Sequence, residues 1–123
     1  MTSLPIILVL LLGVGALMVF ALAYAFYSDP EQGMAQATHR PEKLPLVMID
    51  RYIAVGVIQI GLIFFGSLEM VAVFCVAGAI MGLGDGLIYA KAKLPHMKHT
   101  SSGLLAVLGL VVTLFYLNAG GAA

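Results

Sequence analysis

This sequence predicts an all-α integral membrane protein, an antiparallel bundle of four transmembrane helices with both termini on the non-cytoplasmic side. Three observations carry that prediction. The 123 residues are 62% hydrophobic and 10% charged, with a mean hydropathy of +1.07, whereas soluble domains hold about 45–50% apolar and about 25% charged residues. The apolar residues are grouped in four runs, about 4–27, 45–66, 70–89 and 102–118, each near the ~20 residues that cross a hydrocarbon core ~30 Å thick. The complete basic set (Arg40, Lys43, Arg51, Lys91, Lys93 and Lys98) falls on one face of such a bundle. The positive-inside rule puts that face in the cytoplasm and both termini outside. A multi-pass protein of the bacterial inner membrane, one domain over 1–123, is therefore expected.

The first run, Leu4 to Tyr27, has no charge. Ala21-Leu22-Ala23 resembles a small-x-small cleavage site, but no Lys or Arg precedes the run and it exceeds the ~7–15 residues of a signal h-region. It reads as a retained helix, with Gly13, Gly15 and Ala16 as a patch for close packing. Asp29-Pro30-Glu31-Gln32 then has the order of a helix start: an N-cap carboxylate, proline at the first helical position, and acid in the first turn. A short surface helix to about Ala37 and an irregular loop are both compatible with it.

The second run carries Pro45 in its first turn and is interrupted by Asp50-Arg51. Only Ser67-Leu68-Glu69 separates it from the third, which predicts a tight antiparallel hairpin between 45–66 and 70–89. Lys91 to Ser101 reads as a basic loop with His96 inside it, and His39 reads as a histidine of the earlier loop. Thr100, Ser101 and Ser102 are all able to cap the last helix.

The third run ends on Gly78-Ala79-Ile80-Met81-Gly82-Leu83-Gly84-Asp85-Gly86. A carboxylate inside an apolar run is costly unless something answers it. Arg51 lies 17 residues before Leu68, and Asp85 lies 17 after it. At ~1.5 Å per residue both stand roughly 25 Å from the hairpin tip, near the cytoplasmic edge of the core. Asp50, Tyr89 and His99 arrive at about that level, so Asp50, Arg51, Asp85, Tyr89 and His99 form the candidate polar cluster. It reads either as a structural pair with snorkelling neighbours or as a site. Gly78 and Gly82 share the face of Asp85, and with Gly56, Gly84 and Gly86 they make up the expected helix-packing set, Gly82 set against the second run. Gln59, on the face of Tyr52 and Gly56, either lines a cavity or bonds across helices.

Other chemistries find no footing. Gly82-x-Gly84-x-Gly86 follows no strand and precedes no Lys-Ser/Thr, so it is not a phosphate loop. Cys75 is the single cysteine, and it and the seven methionines read as packing. No metal site is expected, and no histidine lies within an apolar run to ligate haem. Six acids balance six bases, which gives no footing for nucleic acid.

The order Arg51 near a helix start, Gly56 just after, Gly84-Asp85 closing the next helix and His99 opening the last resembles a family of small four-helix membrane proteins of unknown function. More loosely, it resembles the DoxX-like proteins, some of which are associated with quinone or thiol oxidation. The resemblance covers about Leu46 to Leu117. It implies no reaction, and the absence of paired cysteines sets this chain apart from thiol oxidation. Three functional classes stay open. The first is a non-catalytic accessory or assembly subunit, a homo-oligomer or part of a larger membrane complex, needing no cofactor. The second is a homo-oligomeric carrier of small solutes or lipophilic substrates. The third is a membrane oxidoreductase or isomerase acting on a quinone or other lipophilic ligand.

Overall fold

The computed structural model describes residues 5–37 and 40–120. His39 and the side-chain environment of Gly13 and Gly15 lie outside the described residues. Five α-helices follow in order: α1 (Ile6–Ser28), α2 (Pro30–Gln36), α3 (Leu44–Phe65), α4 (Leu68–Lys91) and α5 (Met97–Gly120), with a 3-10 turn Pro41–Lys43 leading into α3. No strand occurs among the described residues. Three helical stretches, Pro41–Phe65, Leu68–Lys91 and Met97–Ala119, are long and apolar enough to cross a membrane. The chain is thus a multi-pass, all-helical membrane protein. It divides into two compact units, Met1–Ile53 and Ala54–Ala123, with the boundary inside α3.

In the first unit α1 packs with α2. The helix start at Asp29-Pro30 forms as its residues dictate, since the Asp29 carboxylate accepts from the Gln32 N–H at 3.0 Å and Pro30 opens α2. Gly33 is buried against α1, where an added Cβ would lie 2.9 Å from the Phe26 Cα and ring. A side chain at position 33 would not fit between the two helices as they stand.

The second unit is built on α4 and α5, which run antiparallel along a seam of small residues. A Cβ added to Gly78 would meet Ala106 Cβ at 3.3 Å, one on Gly82 would reach Gly103 Cα at 2.6 Å, and one on Gly86 would touch the Thr100 backbone at 3.2 Å. Gly109 continues the seam against Cys75, 3.1 Å from where its Cβ would stand. Gly82, Gly86, Gly103 and Thr113 are buried, and no large apolar side chain is buried among the described residues. Ile63 is 78% exposed and Phe65 87% exposed. In water that surface would collapse, but in a bilayer lipid covers it, and helix contact is left to small residues that let backbones approach.

Three expectations are corrected here. The helix facing Gly82 is α5, not the second apolar run. Residues 54–65 of α3 lead through Gly66-Ser67 into α4 without packing along it, so the tight hairpin is α4–α5 rather than 45–66 with 70–89. Glycine spacing shows which face of α4 is small but not which helix lies opposite. Finally, α5 begins at Met97 rather than near 102. Its first backbone bond runs from the Thr100 N–H to the His96 carbonyl at 3.0 Å. Thr100, Ser101 and Ser102 therefore lie inside the helix, where the two serine hydroxyls donate to the carbonyls of Lys98 and His99 instead of capping.

The α4–α5 turn is short and strongly bonded. Leu94 N–H donates to the Tyr89 carbonyl and Lys93 N–H to that of Ala90, the two bonds of a Schellman C-cap. Lys93 takes the left-handed position (φ 56°) that glycine usually fills. Pro95 follows and prevents any continuation of α4.

Candidate functional site

The cluster that the structure assembles sits at the turn end of α4 and α5. Asp85 lies on α4 six residues before its last residue, and Tyr89 follows one turn later on the same face. His99 projects from the first turn of α5. Its Nδ1 is 3.7 Å from the Asp85 carboxylate, with the His99 side chain 33% exposed and that of Asp85 56% exposed. The distance is too long for a hydrogen bond, and the contact becomes an ion pair when the imidazole is protonated. The Tyr89 ring lies against His99, centroids 4.8 Å apart and tilted by 37°.

The seam explains why these groups meet. Gly86 has no side chain, so Thr100 fits against α4 there. That contact fixes the height of the neighbouring His99 beside Asp85. Thr100 is itself held, its hydroxyl 3.1 Å from the His96 Nδ1. Sequence reasoning missed the part played by Thr100 and Gly103, taking the first for a cap and the second for nothing. The signal was present: Thr100, Gly103, Ala106 and Gly109 recur every three residues along α5. His96, read as a loop histidine, stands next to the α5 start with a partner of its own.

Asp50 and Arg51 are exposed on α3 in the first unit, apart in sequence from the unit that holds Asp85. Gly56 and Gly84 face open space, with nothing within 4 Å of an added Cβ. Gly84 is two residues from both Gly82 and Gly86, hence on the opposite side of α4. Among the described residues no group of three or more His, Cys, Asp or Glu gathers in a metal-holding arrangement.

Chemically, a carboxylate, an imidazole and a phenol at the rim of an apolar bundle can hydrogen-bond the polar head of a lipid-soluble molecule. Equally, they can pin two helices in register. Comparison with protein-family models, with characterised proteins and with solved structures finds no match to this chain.

Proposed function

We propose that this chain is a non-catalytic assembly subunit of the membrane, crossing the bilayer four times with both termini outside and its basic loops in the cytoplasm. One face of α3 carries the reading. Gln59 lies six residues, about 9 Å, inside the Phe65 end of a span-length helix. Its side chain is exposed and makes no hydrogen bond among the described residues. An amide offers two donors and an acceptor, and hydrocarbon satisfies none of them, at a cost of roughly several kcal/mol. Tyr52 and Gly56 share its face at i−7 and i−3, and the surface over Gly56 is open. A small residue beside a polar one is how transmembrane helices recognise each other. A neighbouring helix laid over Gly56 would give Gln59 its partner.

The test is purification in a mild detergent with and without Gln59→Leu. The wild type is expected to run as a complex, with a second copy or another subunit. The leucine variant should lose that partner while keeping its helicity and its melting temperature. A wild-type monomer indifferent to Gln59→Leu would overturn the reading.

Sidedness is checked separately. Reporter fusions after Asn118 and between Ser67 and Glu69 should report outside, and fusions at Gly33 and Lys93 the cytoplasm. One fusion on the wrong side removes both the orientation and the fourth span.

A second reading is favoured by Asp85, Tyr89 and His99 lying together. In it a lipophilic molecule with a polar head, such as the quinone that a DoxX-like resemblance implies, is held at that end of α4 and α5, whether carried or converted.

A further inference from the structure

We infer that the α4–α5 turn is a docking surface for the headgroups of anionic phospholipids. Lys91 closes α4, Lys93 follows the C-cap residue Ala92, and Lys98 is the second residue of α5. All three are exposed within one turn and one helix start. Their own unit has only two carboxylates to offer them, Glu69 and Asp85. Glu69 is at the far end of α4, about 30 Å away along the helix, and Asp85 is the carboxylate beside His99. None of the three lysines forms an ion pair among the described residues, and they stand at the end of two helices long enough to span a bilayer.

That is the level of lipid phosphates. A lysine near an anionic leaflet is drawn to it strongly enough to raise affinity about fivefold. The flanking apolar residues, Leu94 and Met97, are 52% and 69% exposed and extend the surface toward the acyl chains. Lys93 strengthens the case. It occupies a left-handed position where glycine would sit without strain, so the chain carries a charge at a site where backbone preference favours none. Zwitterionic headgroups offer no net charge to this surface. Anionic glycerophospholipids offer a net negative charge on each headgroup.

The inference needs only the membrane-spanning character of α4 and α5, and it stands or falls independently of the assembly role. The full chain, purified in detergent, is titrated with short-chain phosphatidylglycerol and, separately, with phosphatidylcholine, and bound lipid is counted by native mass spectrometry. Wild type is expected to prefer the anionic lipid by about a hundredfold at low salt, three lysines at about fivefold each. The preference should fall about fivefold for each of Lys91→Gln, Lys93→Gln and Lys98→Gln, and be kept when all three are replaced by arginine. Equal binding of the two lipids, or a preference unchanged in the triple glutamine variant, overturns the inference. Displacement of the lipid by millimolar inorganic phosphate also overturns it, since the surface would then be a free-anion site. If the triple variant does not fold, the wild type alone decides. A preference for phosphatidylglycerol that survives a tenfold rise in salt is not the electrostatic docking inferred here.

Discussion

Gly82→Leu is expected to pull α4 and α5 apart and to give the largest loss of stability of any single change in the second unit. An ordinary Cβ at that position already falls on the Gly103 backbone, 2.6 Å from its Cα. Gly103 has no side chain to swing aside, and its own missing Cβ would stand 2.6 Å from Leu83 N. The backbones themselves must separate, which breaks contacts all along the seam from Cys75–Gly109 to Gly86–Thr100. Overpacked cores lose about 1–3 kcal/mol, occasionally more, and a seam closed by backbone on both sides belongs at the upper end, about 3 kcal/mol. Thermal unfolding in detergent measures it. Gly84→Leu is the control: nothing lies within 4 Å of its Cβ position, so its melting temperature should hold or rise slightly. Equal losses at Gly82 and Gly84 would overturn the seam as the cause, since helix propensity favours leucine over glycine at both positions.

That contrast marks how far the chain could be read in advance. The membrane character, the helical class and the apolar runs that become α3, α4 and α5 were legible, because a span must be long and apolar whatever its neighbours are. Asp29-Pro30 was legible for the same reason, as capping is local chemistry between residues three apart. The start of α5 was not. Pro95 and His96 hide it, since the residues that look like caps lie inside the helix and donate back to its own carbonyls. The Schellman cap after α4 was also hidden, because Lys93 stands where a glycine would have announced it.

The site was legible in parts. Asp85, Tyr89 and His99 could be placed at a common depth by counting residues from Leu68. Depth is one coordinate, however, and says nothing of which helices are neighbours. His99 is brought to Asp85 by the Gly86–Thr100 contact, which a count along the chain does not show, and Arg51 belongs to the other unit. The period of small residues along α5 would have identified α5 as the other half of the seam. It was masked because Thr100 and Gly103 flank a serine pair that reads as a helix cap.

With the His99 imidazole 3.7 Å from it, the carboxylate of Asp85 is expected to couple more strongly to His99 than to Arg51. Two double-mutant cycles, 85 with 99 and 85 with 51, measure this as stability in detergent. The 85–99 pair is partly exposed on both sides, which limits its coupling to about 0.5–1 kcal/mol. A larger coupling at 85–51 would give Arg51 the role that equal depth suggests and leave His99 as a bystander. The same variants separate a register pin from a ligand site. As a pin, His99→Ala and Asp85→Asn each lose the coupling energy, and the double variant loses little more than either. As a site for a lipophilic head, His99→Ala removes binding of a quinone-type probe far out of proportion to its effect on stability. Tyr89→Phe, which keeps the ring against His99 and removes only the hydroxyl, weakens that binding while leaving melting unchanged. The pin is the expected result, because the Gly86–Thr100 contact and the His96–Thr100 bond already build the cluster without a ligand. Binding lost in His99→Ala with stability kept would reverse that assignment and make this end of α4 and α5 the working part of the protein.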